Sequence, residues 1–286
     1  YGVIGGNPVY VYSQDASVLN GTIGEMHAKK IANLYDLAMK TGTPVIGLLD
    51  SAGFRLQEST DALNAFGTVY KKMSDASGVI PQIAAVFGKC GGGLAVAAGM
   101  ADFAFMADNA KLFVNSPNAL AGNSEDKKDT AAAGFKAEAG AVDAHGTEEE
   151  VLAKIRALVS ILPSNNEDEA AEECEDDLNR ASANVAAGIA DPAVAAADLS
   201  DGNLFVETRA EYAKEMATGF IKLNGETVGL IANRTASYDE KGETAAEFKP
   251  VLTVAGTEKA ADFVNFCDAF CIPVLTITNV TGFKAT

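Results

Sequence analysis

Three consecutive glycines, Gly91, Gly92 and Gly93, follow the largely apolar stretch Ile83 to Cys90 and precede a second one, Leu94 to Ala98. The first stretch reads as a buried strand and the second as the opening of a helix. The first turn of a helix carries N–H groups with no intrahelical partner, and glycine lets a foreign oxygen approach them with no Cβ in the way. Such a junction can hold a phosphate, or the oxyanion of an enolate or a tetrahedral intermediate. A phosphate loop of the Walker type ends in Gly-Lys-Ser/Thr, whereas Leu94-Ala95 stands here, so the oxyanion is the better fit. The same glycines would serve close packing of helix on sheet, and the stretch alone does not choose.

Other chemistry-bearing residues give less. Ser51 follows Asp50, and His27 lies upstream, but no G-x-S-x-G surrounds the serine, which reads as a turn cap. Cys90 sits at a helix start, where a thiolate could be activated. Lys29 and Lys30 could meet an anionic ligand or only water. Four cysteines with no C-x-x-C pair, and only two histidines, offer no zinc set, so no metal is expected.

The elements that must position these groups alternate. Asn7 to Ser13 reads as a strand. A helix follows from about Glu25 to Lys40, with Ile31, Leu34, Tyr35 and Ala38 on one face. Val45 to Leu49 is a strand buried on both faces, ending in the turn Asp50-Ser51-Ala52-Gly53-Phe54-Arg55. A helix over roughly Ala62 to Met73 leads to the glycine unit, with strands at Phe103–Met106 and Leu112–Val114 beyond it. The pattern predicts an α/β fold with a mainly parallel sheet. Thr147 to Glu150 is a capping box for a helix whose Val151, Leu152, Ile155, Leu158, Val159 and Leu162 face inward.

Residues 167 to 177 carry eight carboxylates, and 181 to 201 are rich in alanine and aspartate. Without a spaced calcium loop this reads as a solvated linker, giving domains at 1–162 and 204–286 joined by 163–203. Past it the opening unit returns. Pro44 pairs with Pro273 at an offset of 229 residues, and that offset carries Ile31, Leu34, Tyr35 and Ala38 onto Ala260, Phe263, Val264 and Cys267, and Gly53-Phe54 onto Gly282-Phe283. The second copy ends at Thr286 before any counterpart of the glycine triplet, and the first begins at Tyr1 without Met, so the sequence reads as part of a longer one.

The 286 residues bear 39 acidic against 22 basic side chains, a net charge of -17, which argues against nucleic acid or an anionic membrane as partner. Unpaired cysteines and the lack of an 18-residue apolar run suit a cytoplasmic protein.

Together, Gly21-Thr22-Ile23-Gly24-Glu25, Asp50 to Glu58, Ser77 to Gln82, Cys90-Gly91-Gly92-Gly93 and Phe263 to Pro273 resemble, in order and spacing, the carboxyltransferase subunits of biotin-dependent acyl-CoA carboxylases and decarboxylases. The resemblance implies tandem crotonase-like (ClpP/crotonase) domains with the second truncated, acyl-CoA on the first and biotin on the second. It implies a carboxyl transfer between biotin and the α-carbon of a short acyl-CoA through an enolate. By resemblance Gly92 and Gly93 form the oxyanion hole with the Gly53-Phe54 turn beside them. Gly21, Gly24 and Gly91 would lie on the acyl-CoA side, and Gly282 and Phe283 on the biotin side. The implied partners are acyl-CoA, a biotin carboxyl carrier protein and further copies of the chain in a dimer-based homo-oligomer. A biotin carboxylase or a sodium-pumping membrane decarboxylase subunit stays open as a further partner. The chain departs from the family in Ala52-Gly53-Phe54 (usually Gly-Gly-Ala), in Gly91 (usually alanine) and in Ala133 to Glu138, where the family has a histidine. Those departures leave two alternatives: a non-catalytic or assembly subunit retaining the fold, or an acyl-CoA hydrolase or isomerase of the crotonase superfamily.

Overall fold

The structure, a computed structural model, describes residues 1–115, 128–169, 171, 173–174, 176–239 and 241–285. It forms two compact units, one of residues 1–160 with 164–166, the other of residues 161–163 with 167–286.

The first unit is α/β. Its strands are β1 (Gly2–Ile4), β2 (Asn7–Ser13), β3 (Val45–Ser51), β4 (Gln82–Gly91), β5 (Phe103–Ala107), β6 (Lys111–Phe113) and β7 (Ala144–Gly146). They form one sheet in the order β1-β2-β3-β4-β5-β7, with β6 joining the far end of β4. Only β1 on β2 is antiparallel; the other pairs are parallel, as strands joined by crossover helices must be. The helices are α1 (Glu25–Thr41), α2 (Ser59–Ala76), α3 (Gly93–Met100), α4 (Ala133–Glu138) and α5 (Glu148–Ile161).

The core is continuous from Ile31 and Tyr35 of α1, through Val69 of α2 and Val86 of β4, to Leu94 of α3 and Met106 of β5. Each of these elements carries an unbroken or i, i+3/i+4 apolar pattern, so burial follows from sequence period. The capping box forms as expected, with Thr147 N–H donating to Glu150 Oε2 at 2.8 Å and Glu150 N–H to Thr147 Oγ1 at 3.2 Å. Leu152 is a correction: it is 42% exposed, one position off the buried stripe of Val151, Ile155, Leu158 and Val159.

The second unit holds α6 (Val185–Gly188), α7 (Pro192–Leu199), β8 (Phe205–Thr208), β9 (Met216–Leu223), β10 (Glu226–Asn233), β11 (Ala236–Tyr238), β12 (Thr244–Glu247), β13 (Val251–Leu252), α8 (Val254–Ala269), β14 (Val274–Ile277) and β15 (Gly282–Phe283). Its main sheet runs β14-β10-β9-β8, with β10 and β14 parallel. Of the stretch expected as a linker, Pro192–Leu199 is a helix whose Ala196 packs with Ile221, Val228 and Leu230. Alanine's small side chain lets α7 lie close on the sheet, and Asp191 caps it by accepting from Ala193 N–H at 3.2 Å. Glu172 and Glu175 of the carboxylate cluster lie outside the described residues.

The two proline-led strands, each in its own unit, pair in a similar way. Tyr10 N–H donates to the Pro44 carbonyl at 2.9 Å, and Gly229 N–H to that of Pro273 at 2.8 Å. Val45 pairs with Tyr10 and Val274 with Gly229. The helix faces agree at Cys267, buried like Ala38, while Phe263 is buried where Leu34 is half-buried, Ala260 half-buried where Ile31 is buried, and Val264 42% exposed where Tyr35 is 2% exposed. Tyr35 donates to Gln82 of β4 at 3.1 Å. Among the described residues no strand pairs with the corresponding edge of β14.

Candidate functional site

β4 delivers the chain to Gly92, whose φ of 61° and ψ of -133° lie outside the regions open to other residues, and α3 starts at Gly93. Gly92 N–H donates to the Phe113 carbonyl at 3.1 Å, and Ala95 N–H to the Gly92 carbonyl at 3.1 Å. Two amides at the start of α3 are left without an intrahelical acceptor, those of Gly93 and Leu94. Of the two glycines expected to offer donors, Gly92 thus has its amide occupied inside the protein, because β6 pairs with the end of β4.

The facing turn is held as firmly. Gly53 N–H donates to Ser51 Oγ at 3.1 Å, Ile23 N–H to the Gly53 carbonyl at 2.8 Å, and Arg55 N–H to the Ile23 carbonyl at 2.9 Å. In a parallel bridge of this kind the flanked residue, Phe54, directs its own N–H to the opposite side. Phe54 also lines a cavity of about 670 Å³, together with Gly53, Gly92, Gly93, Tyr70 and Phe113 among others. The structure therefore brings the two expected segments to one cavity.

Tyr70 Oη donates to the Gly93 carbonyl at 2.6 Å, and the Tyr70 ring lies 6.0 Å from that of Phe66. Desolvation pushes the Tyr70 hydroxyl up from its usual range, so it is a donor at neutral pH. Phe66, Tyr70, Phe113 and Leu63 make the wall apolar, a setting in which an amide–oxyanion interaction gains strength. Tyr70 and Phe113 were not legible as site residues: Phe66 and Tyr70 have the i, i+4 spacing of an ordinary core stripe, and Phe113 sits in a short apolar run.

Two candidate nucleophiles lose their chemistry. Cys90 is fully buried, and desolvation pushes its thiol up to about 12. Ser51, also fully buried, has its Oγ engaged by Gly53 N–H. His27 is held at Thr22, its Nδ1 3.3 Å from the Thr22 carbonyl, and lines a different cavity.

That second cavity, about 350 Å³, is lined by Gln14, Gly21, Thr22, His27, Lys30 and Arg55 among others. Gln14 Oε1 accepts from Asp50 N–H at 3.1 Å, while its buried Nε2 has no hydrogen-bond partner. Gly21 packs against the Asp50 carbonyl so closely that a Cβ would collide with it. Gly24 packs against the Glu58 carboxylate, which accepts from Glu25 N–H at 2.6 Å, and is not among the residues lining this cavity. Lys29 is paired with Glu25 at 2.7 Å.

In the second unit Gly282 and Phe283 form β15, paired in parallel with Val251 and Leu252. Phe283 is 79% exposed and lines a cavity of about 590 Å³ with Glu215, Phe248, Lys249, Thr253 and Lys284. Open space surrounds the position of a Cβ on Gly282. Among the described residues no group of His, Cys, Asp or Glu is placed to hold a metal ion, and no helix is long and apolar enough to cross a membrane.

The carboxyl transferase domain model matches residues 1–286. The propionyl-CoA carboxylase beta chain of Roseobacter denitrificans is 37% identical over 99% of this chain and 56% of its own length. Methylmalonyl-CoA decarboxylase subunit alpha of Propionigenium modestum is 36% identical over the same shares. This chain thus spans 56% of the length of these curated relatives. Among solved structures, the transcarboxylase 12S hexamer with methylmalonyl-coenzyme A and methylmalonic acid bound is 30% identical, covers 98% of this chain and 55% of its own, and superposes with a TM-score of 0.87.

Proposed function

The chain belongs to the carboxyl transferase domain family, and from that premise we propose that it carries the acyl-CoA half of a biotin-dependent carboxyl transfer. The carboxyl group moves between a ring nitrogen of biotin and the α-carbon of a short acyl-CoA. The observation carrying this reading is the single cavity flanked by Phe54 and Gly93, each with an amide not spent on the bonds described for its turn.

The α-carbon becomes nucleophilic only as its thioester turns into an enolate, and the negative charge then collects on the thioester oxygen. Phe54 and Gly93 N–H donate to that oxygen, and neither has to reorganise, because Gly53, Gly92 and Tyr70 are already tied down. One such donor lowers the barrier by on the order of 3 kcal/mol. Gly92 belongs to this site as the hinge that turns Gly93 into place, and Gly91 as its strand-side neighbour. The cavity at Gly21 takes the polar end of CoA, where the Lys30 ammonium offers a donor to its oxygens and Arg55, bonded to Thr22 and Glu58, adds positive charge; Gly24 supports it from behind by seating Glu58.

Biotin, carried on a separate protein, would supply or accept the carboxyl group. The residues at β15 fit its flat ring system: Gly282 leaves open space and Phe283 offers an exposed aromatic face beside the 590 Å³ cavity. On this reading residues 1–162 and 204–286 belong to tandem crotonase-like domains, the second of them only begun. The acyl-CoA half of one subunit then works with the biotin half of another in a homo-oligomer in the cytoplasm.

The test is exchange of labelled carboxylate between free biotin or a biotinylated carrier and a panel of malonyl, methylmalonyl, propionyl and glutaconyl thioesters, using the full-length protein. Biotin-dependent exchange with one of them is the expected result. No exchange together with no CoA binding by calorimetry sinks the proposal, and turnover without biotin reassigns the site to hydrolysis or isomerisation.

A further inference from the structure

Gly91 stands where the resemblance places an alanine, and the Phe113 ring occupies the space a side chain there would need. A Cβ built on Gly91 would stand 2.9 Å from Cε2 and 3.1 Å from Cζ of Phe113, nearer than side chains pack. The two residues are register partners between β4 and β6, and the Phe113 carbonyl holds the Gly92 amide at 3.1 Å. The backbone of β6 is thus pinned, so a methyl group at position 91 has to be relieved by the phenyl ring. The ring is half-buried and lines the same cavity as Phe54 and Gly93. The ring rests against the bare backbone of Gly91 on one side and borders the cavity.

We propose that the Gly91–Phe113 contact sets the size of acyl group this chain accepts, glycine at 91 drawing the ring back and so enlarging the acyl end of the cavity. The inference rests on the assignment of that cavity to an acyl thioester. Phe54, bulkier than the alanine usual at its place, narrows the cavity from the facing turn; Gly91 offsets it from the other side. Phe113 is a specificity residue here and takes no part in bond making.

Three variants of the full-length protein test this: Gly91→Ala, Phe113→Ala and the pair together. Calorimetric titration with acetyl-, propionyl-, butyryl- and hexanoyl-CoA reads the preference for longer acyl groups without requiring turnover. Restoring the methyl at 91 is expected to lower the butyryl-to-acetyl affinity ratio by about tenfold, the scale of one methylene in an apolar pocket. Phe113→Ala raises the same ratio by a similar factor, and the double variant follows Phe113→Ala, because with the ring gone the methyl has nothing to displace. Thermal unfolding of the same set should show Gly91→Ala destabilising the parent and neutral in the Phe113→Ala background. A ratio unchanged in both single variants overturns the inference while leaving the acyl-CoA assignment intact. A parent protein that binds none of the four thioesters overturns the assignment itself, and the inference with it.

Discussion

The Gly92 amide donates to the Phe113 carbonyl at 3.1 Å, so one hydrogen bond removes a donor from the glycine triplet and fixes the direction of the next. On the proposed function the donor left to the triplet is the Gly93 amide. A Cβ on Gly93 would stand 2.7 Å from Tyr70 Oη and 3.1 Å from the Phe66 ring, and so would displace both from the amide they frame. Gly93→Val is expected to cut carboxylate exchange by about a hundredfold, the loss of one oxyanion donor. Circular dichroism should remain that of a folded chain, and unaltered exchange in a folded variant would remove Gly93 from the site.

On the proposed function Tyr70 is a positioning residue that acts through the peptide that follows Gly93. Its hydroxyl reaches the Gly93 carbonyl at 2.6 Å from α2, tying the helix start to the wall of the cavity. Tyr70→Phe keeps the ring and removes the bond, which should cost about 1 kcal/mol of stability. The kinetic effect is expected in kcat with KM for the acyl-CoA nearly unchanged, since the group orders the donor in the transition state and touches little of the ground-state thioester. A rise in KM at constant kcat would show that Tyr70 only shapes the cavity.

How much of this could be read from the residues depends on how local each cause is. The β3 strand, the capping box at Thr147 and the two proline-led strands were legible because period and punctuation are properties of a few neighbours. The matching bonds from Tyr10 to Pro44 and from Gly229 to Pro273 follow from that. The loss of the Gly92 donor was not legible, since it needs β6 to arrive beside β4 from twenty residues downstream. Likewise α7 is hidden in a stretch that composition assigns to solvent, because alanine is read as neutral until a sheet lies against it. Lysine 259 hides for the same reason: its type predicts the surface, and only the surrounding carbonyls explain its burial.

The Asp102 carboxyl gives the first unit a pH dependence. Desolvation pushes it up to about 7, and the nearby Asp143 carboxylate adds to the rise, while its Oδ2 accepts from Gln82 N–H at 2.7 Å. A folded-state value above the unfolded one means the group's contribution is complete below about pH 4 and is lost as pH climbs through 7. Urea midpoints should therefore fall between pH 5 and pH 8, and Asp102→Asn, which keeps an acceptor for Gln82, should flatten that fall. An equal slope in parent and variant would assign the dependence elsewhere.

Lys259 is 1% exposed, and its Nζ donates to the carbonyls of Arg209, Tyr212 and Met216 at 2.8, 2.9 and 2.7 Å. Residues Arg209 and Ala213 of that loop hold positive φ values of 46° and 43°, a backbone that needs outside support. Desolvation brings the amine down to about 8, against the opposing pull of Glu207 and Glu215. The value lies below the unfolded one, so the second unit should gain stability as pH rises from about 8 toward 10.5, where the unfolded amine also loses its charge. Lys259→Met fills the volume and offers no donor, leaving three carbonyls unpaired at a cost of about 3 kcal/mol. Hydrogen exchange should then accelerate first at 209–216. If the amides of that loop exchange as slowly in the variant as in the parent, the ammonium group is not what holds the loop.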